Sequence, residues 1–213
     1  MATNPATATV FAGATRAIGV RVLAGPFFLS GVAALAYQVC WQRLLFVALG
    51  TDMDSITIIV STFMLGLGVG SLLGGQAADR YPNRILTLFA AAEAGIGVFG
   101  VLSPHLIAGL GKLVIHQGLA TIAIANFALL LIPTTLMGAT LPMLVALLVR
   151  RQSTVGVSIG GLYCLNTFGA AAGALAVGFV CFYFFEIDTV IYAAAAINFL
   201  VSAVALLIVR RGE

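Results

Sequence analysis

The chain has 213 residues, of which 62% are hydrophobic and 8% charged, with a formal net charge of +3; an ordinary soluble domain has about 45–50% apolar and about 25% charged residues. This composition excludes a water-soluble globule, because so many apolar residues cannot be hidden in one core. The basic residues are scattered between apolar segments, so they indicate membrane topology and not a nucleic-acid surface. We therefore expect the protein surface to contact a lipid bilayer and not a nucleic acid.

Six apolar spans follow one another along the chain. A membrane-spanning helix needs about 20 apolar residues, and the spans are predicted at 20–39, 55–78, 85–103, 119–149, 155–185 and 189–209. The predicted fold is therefore an all-α integral membrane domain of six transmembrane helices over residues 20–213. Residues 1–19 are expected to form a short cytoplasmic tail, since their start carries no basic residue typical of a cleavable signal.

The charges between the spans predict which side each connection faces. With six spans, Arg43 and Lys112 fall on one side of the membrane, and the other basic residues fall on the opposite side. Those are Arg16, Arg21, Arg80, Arg84, Arg150, Arg151, Arg210 and Arg211. Basic connections stay in the cytoplasm, so both termini are predicted to be cytoplasmic.

Glycines recur at helical spacing in two of the spans. They are Gly66, Gly70 and Gly74 in the second span, and Gly156 with Gly160 and Gly169 with Gly173 in the fifth. Residues four apart share a helix face, and without side chains they let two helix backbones approach closely. We interpret them as static packing surfaces; the alternative is that they let helices slide during transport.

A few polar side chains lie in or next to the apolar spans and form the candidate intramembrane site. Glu93 is the acidic residue well inside a span, and burying its charge in hydrocarbon is costly unless it is paired, protonated or faces a wet cavity. The other candidates are Gln38, Arg43, Asn126 and Asn166, with Asn198 as a further amide. Alternatively, each amide satisfies the backbone of a neighbouring helix.

Neither a cofactor nor a catalytic centre is predicted. Cys40, Cys164 and Cys181 lack metal-ligand spacing and are expected as free thiols. His105 and His116 lie near the third connection and not in the middle of a span, so they do not offer paired intramembrane haem ligands. No nucleophile and base occur with the spacing that catalysis requires.

The segment 75–84 resembles the loop between the second and third helices of major facilitator superfamily transporters. It has a Gly, three residues, then Asp79 and Arg80, followed by a turn and Arg84. The resemblance implies that these three residues belong to a charge network that holds the cytoplasmic side closed. Pro82 stands where that family usually has Gly, and the alternative is a simple turn with topology-setting arginines.

Four further segments, 29–45, 63–71, 138–142 and 162–174, resemble the transmembrane region of bacterial membrane-fused spermidine synthases, which is major-facilitator-like. The resemblance implies a multi-pass protein of the bacterial inner membrane, similar to half of a major facilitator transporter, with a link to polyamines. Gln38 stands where that family commonly has Glu. The soluble aminopropyltransferase domain that follows in the family has no counterpart before Glu213, so no enzymatic activity is expected.

Two functions remain open from the sequence. The first is a non-catalytic accessory or assembly subunit of a larger membrane complex. The alternative is a half-size transporter or binding protein for a small cation such as a polyamine, acting as a dimer. Another membrane protein, a second copy and a soluble aminopropyltransferase are the candidate partners.

Overall fold

In the computed structural model, every long secondary-structure element is an α-helix. It describes the backbone of residues 5–49, 52–114, 116–151 and 155–210, and the side chains of 23–47, 56–114, 116–118, 120–149 and 159–210. The long helices are α1 (Pro5–Leu49), α2 (Asp52–Arg80), α3 (Ile85–Val114), α4 (Leu119–Arg151), α5 (Val155–Ala176) and α6 (Ile187–Arg210). Each contains a stretch long and apolar enough to cross a membrane. The prediction of an all-α chain with six such helices is confirmed.

Helix α1 begins earlier than the sequence predicts. It is already helical at Pro5 and ends at Leu49, so most of the predicted tail continues the first helix. The side chains of Arg16, Arg21, Arg150 and Arg151 lie outside the described part, as does the whole of Arg211. The cytoplasmic location of both termini therefore stays a prediction.

Helix α3 continues about three turns beyond its predicted end at Ser103. Pro104 lies inside the helix, and a proline removes the hydrogen bond to the carbonyl four residues earlier, which here belongs to Gly100. The Ser103 hydroxyl donates to that Gly100 carbonyl at 2.9 Å. The side chain thus supplies the bond that the proline removes, and the helix passes through the Ser-Pro pair without ending.

The junctions on either side of the bundle have different local structures. Between α2 and α3 the chain forms a single 3₁₀ turn, Pro82–Arg84, after Tyr81 donates its N–H to the Ala77 carbonyl at 2.9 Å. Helix α5 continues into a π-helical segment, Val177–Cys181, and one α-helical turn, Phe182–Phe184. A π-helical segment accommodates an extra residue, so the side chains after it are rotated relative to a straight α5.

The helices pair in a pattern that repeats between the two halves of the chain. The most extensive contacts join α2 to α4, α1 to α5 and α3 to α6, followed by α3 to α4 and α1 to α6. Exchanging each helix with the one three positions away leaves this set of pairs unchanged. Helices three apart in a series of antiparallel helices run in opposite directions, so the two three-helix units have an inverted relationship.

The sequence carries a trace of the same relationship, which our sequence analysis missed. The pattern Pro-x-x-Leu-x-Gly occurs at 26–31 in α1 and at 133–138 in α4. Its glycines, Gly31 and Gly138, have the same role in the structure, because each lies against the backbone of the partner helix, α5 and α2 respectively. The pattern therefore marks the equivalent position of the two units.

Glycine contacts form two close helix-helix seams. The α2–α4 seam holds Gly66, Gly70 and Gly74, and the α1–α5 seam holds Gly169 and Gly173. A Cβ atom on Gly70 would overlap the Thr135 carbonyl, and one on Gly173 would overlap the Val32 carbonyl. Gly160, by contrast, faces open space, because the seam with α1 begins further along α5; Gly156 lies outside the described side chains.

An aromatic cluster connects α1 with α2 and α3 in the core. Trp41 stacks on Tyr37 with ring centroids 4.9 Å apart and meets Phe99 edge-on at 5.7 Å. The Trp41 indole N–H donates to the Ser103 hydroxyl at 2.9 Å. Both Trp41 and Ser103 are fully buried, so the α1–α3 contact is fixed by packing and by a satisfied polar group together.

Candidate functional site

A cavity of about 300 Å³ lies among the six helices, and each of them contributes to its lining. Its polar lining residues are Ser30, Gln38, Thr140, Asn166 and Asn198. The size falls at the lower end of the range of small-molecule sites, about 300–1,000 Å³. The cavity is therefore large enough for a small ligand.

Glu93 of α3 lies behind one end of this cavity and is fully buried. The Ser30 hydroxyl of α1 donates to Glu93 Oε1 at 2.6 Å, and the Asn198 amide of α6 donates to Glu93 Oε2 at 2.7 Å. Three helices thus hold one carboxyl group, with a donor on each oxygen. Each oxygen retains further lone-pair capacity, so the group can also accept bonds from a ligand.

The α3–α6 contact keeps Asn198 in place beside Glu93. Ser202, one turn further along α6, donates its hydroxyl to the Ala90 carbonyl of α3 at 2.8 Å. Residues four apart share a helix face, so the Ser202 bond orients the face that carries Asn198. The Asn198 Oδ1 atom is buried without a hydrogen-bonding partner, and this residue lines the cavity. An unpartnered buried acceptor is costly, and a donor in the cavity would remove that cost.

The cavity has one polar and one apolar wall. Helices α1 and α5 contribute Ser30, Gln38 and Asn166, whereas α2 and α4 contribute mainly Phe63, Met64, Leu67 and Met137. Thr140 of α4 uses its hydroxyl within its own helix, donating to the Met137 carbonyl at 2.8 Å. A ligand with a polar side and an apolar side would match both walls.

The structure brings Gln38, Glu93 and Asn166 of the sequence-predicted site together. Gln38 and Asn166 are half-buried cavity residues, and the Asn166 amide oxygen lies close to Gly31, next to Ser30. Ser30 is a site residue that our sequence analysis missed. Ser30, Ala34 and Gln38 are each four residues apart, so they share one face of α1. This spacing is the signal that could have identified Ser30 as a site residue.

Two of the predicted site residues lie elsewhere. Arg43 is exposed, and its guanidinium lies 4.2 Å from the centroid of the Phe182 ring. At 1.5 Å per residue it is about 20 Å along α1 from Ser30. Asn126 donates to the Ile122 carbonyl at 2.9 Å and does not line the cavity; it is about 16 Å along α4 from Met137. The structure therefore places these two residues away from the Glu93 site along the helix axes.

The predicted cytoplasmic loop network lies at the end of the bundle where α2 meets α3. Asp79, Arg80 and Arg84 are exposed there. The Arg80 Nε donates to the Tyr81 hydroxyl at 3.3 Å. A role of these three charges in closing one side stays a prediction.

Cysteines and potential metal ligands do not add to this site. Cys40, Cys164 and Cys181 are free thiols, and the described residues contain no group of three or more His, Cys, Asp or Glu side chains that could hold a metal ion. Within the described residues, the polar lining of the cavity thus consists of three amides and two hydroxyl groups, and the Glu93 carboxyl group lies behind it, bonded to Ser30 and Asn198.

Comparison with curated proteins finds polyamine aminopropyltransferase 1 of Streptomyces coelicolor, which is 29% identical over 174 residues. The match covers 72% of this chain and 30% of the relative, so the chain corresponds to less than a third of that protein's length. No family model matches the chain, and no solved structure matches it. The chain, whose described part has six helices apolar enough to cross a membrane, is thus distantly similar to a polyamine aminopropyltransferase over 72% of its length.

Proposed function

We propose that the chain is an integral membrane domain that binds a small organic cation and is linked to polyamine metabolism. The observation that carries this proposal is the buried Glu93 carboxyl group, held by Ser30 and Asn198 beside a cavity that Asn198, with its unpartnered Oδ1, helps to line. The relation to a polyamine aminopropyltransferase supports a polyamine as the cation. We propose binding, and not aminopropyl transfer, as the role of these 213 residues.

Electrostatics favours a cation in this cavity. A carboxylate buried in a medium of low dielectric constant is costly unless hydrogen bonds and an opposite charge compensate it. Ser30 and Asn198 supply two hydrogen bonds, and an ammonium group would supply the opposite charge. Ionisable residues inside membrane segments typically mark substrate or ion pathways.

The pairing of the helices supports a major-facilitator-like half as the architecture. In such transporters inverted repeats surround a site near the middle of the membrane. Here the pairing pattern is unchanged by exchange of the two three-helix units, and all six helices line the cavity. We propose the bacterial inner membrane as the location, with both termini in the cytoplasm.

Glu93→Gln tests the binding function. Glutamine keeps the shape of the side chain and removes its charge, so we expect the affinity for spermidine to fall at least about tenfold, the effect of losing one strong charged hydrogen bond. The measurement is equilibrium binding of radiolabelled spermidine to the purified chain in lipid nanodiscs. Glu186→Gln, which changes an exposed carboxyl group outside the spans, is the matched control. Unchanged binding by Glu93→Gln, or no binding by the wild type, would contradict the proposal.

A role as an accessory subunit is the second candidate, and the exposure of α5 favours it. This helix is the least buried of the six, and its half-buried Asn166 lies next to exposed Tyr163 and Phe168. A second copy, another membrane protein or a soluble aminopropyltransferase could cover this surface.

We expect native mass determination after gentle extraction to show a dimer or a stoichiometric complex. A monomer that still binds spermidine would contradict the need for a partner.

A further inference from the structure

The polar groups of the cavity lie in two places along α1 and are separated by apolar lining. Ser30 is at one place and Gln38 at the other, with Ala34 between them on the same face. The Cα atoms of Ser30 and Gln38, eight residues apart, are separated by about 12 Å along the helix axis. The cavity therefore has two polar ends at a defined spacing.

The first end contains the buried acceptors. Ser30 and Asn198 both donate to Glu93 there, and the Asn166 amide oxygen lies close to Gly31, the neighbour of Ser30. A primary ammonium group has three N–H donors to share among such acceptors. The Asn198 Oδ1 atom, buried without a partner, is available to one of them. This end suits a fully desolvated ammonium group.

The second end contains the half-buried Gln38, whose amide oxygen can accept a bond from a second ammonium group. Ala34 lies between the ends on α1, and the apolar lining of the cavity also includes Met64, Leu67 and Ile96. Apolar side chains of this kind, with a flexible methionine among them, suit a methylene chain. They offer no charge to a compact ion.

We propose that the cavity selects linear amines by length, with one terminal ammonium group at Glu93 and the other at Gln38. This inference rests on the proposed function and makes it more specific, because it predicts which cations bind well. A compact cation would occupy the Glu93 end alone. A linear amine whose terminal nitrogens are about 12 Å apart would occupy both ends and bury its methylene groups against α2 and α4.

A series of α,ω-diamines of increasing length tests the inference, measured by calorimetry with the full chain in nanodiscs. Monoamines of the same chain length serve as reference ligands. We expect the affinity of the diamines to rise about tenfold above that of the matched monoamines once the nitrogen-nitrogen span reaches about 12 Å, the gain expected from one additional charge-assisted hydrogen bond.

Two substitutions of Gln38 separate this inference from general amine binding. Gln38→Leu should remove the about tenfold gain of the long diamines and leave the short ones unchanged. Gln38→Glu should increase the gain, because a carboxylate binds ammonium more strongly than an amide does. Gln76→Leu, at an exposed glutamine that does not line the cavity, is the matched control and should behave as the wild type.

The outcomes of these experiments distinguish the selection of amines by length from cation binding in general. Binding that depends on Glu93 but not on diamine length would overturn the length selection and leave cation binding intact. An equal response of short and long diamines to Gln38→Leu would also overturn it. Binding that does not depend on Glu93 would overturn both.

Discussion

The double variant Gly70→Ala/Gly173→Ala is expected to lose about 2–6 kcal/mol of unfolding free energy. Each added Cβ atom would overlap a backbone carbonyl, that of Thr135 in the α2–α4 seam and that of Val32 in the α1–α5 seam. Overpacking of a close contact costs about 1–3 kcal/mol, and costs at distant sites add. Trp41, the single tryptophan of the chain and fully buried, provides the fluorescence signal for unfolding in detergent.

The same two helices offer a matched control. Gly68 of α2 and Gly161 of α5 have no atom within 4 Å of an added Cβ, so Gly68→Ala/Gly161→Ala should retain wild-type stability or gain slightly from the better helix propensity of alanine. If both double variants unfold alike, overlap of the added Cβ atoms with the facing carbonyls is not the cause of any loss. The close seams would then not be what holds these helices together.

Asn198→Leu is expected to cost about 3 kcal/mol, because it leaves Glu93 Oε2 buried without its donor. The Asn198 amide is 2.7 Å from that oxygen, and an unsatisfied charged group in a core costs more than a neutral one. Leucine has a similar size and removes the unpartnered Asn198 Oδ1, which offsets part of the loss, but the carboxyl group left without its donor decides the sign. Unfolding monitored by Trp41 fluorescence measures the effect.

A double-mutant cycle with Glu93→Leu separates the bond from the packing. The variant that carries both leucines should be more stable than the sum of the two single losses predicts, because neither position then has an unpaired polar group. We expect a coupling of about 1–3 kcal/mol. Strict additivity would mean that Asn198 and Glu93 do not depend on each other in the folded protein.

Hydropathy predicts the six long helices because each is apolar over the length that a membrane-spanning helix needs. It fails at Ser103 and Pro104, where polar and helix-breaking residues indicate an end. The structure continues through them because the Ser103 hydroxyl satisfies the Gly100 carbonyl. Such local compensation depends on side-chain geometry, and a hydropathy profile does not include it.

The candidate site is predictable in part from residue type and only poorly from position. Glu93 is conspicuous because a carboxyl group within an apolar span needs partners, but its partners Ser30 and Asn198 are 63 and 105 residues away in the chain. Arg43 is as polar as any of them, yet it lies too far along α1 to take part. Whether a polar residue belongs to the candidate site depends on its position along the helix axis and on the direction in which it faces. Both depend on tertiary packing.

The pairing of α1 with α5 and of α2 with α4 has a consequence for biosynthesis. A nascent chain that has released only its first three helices has none of the most extensive contacts of the finished bundle, since each joins an early helix to a late one. The glycine face of α2 would be without its partner until α4 emerges from the ribosome, and the facing surface of α1 would be without its partner for longer, until α5 emerges. Contacts of such high sequence separation form slowly, so the assembly of the bundle is a late stage that follows the synthesis of the last three helices.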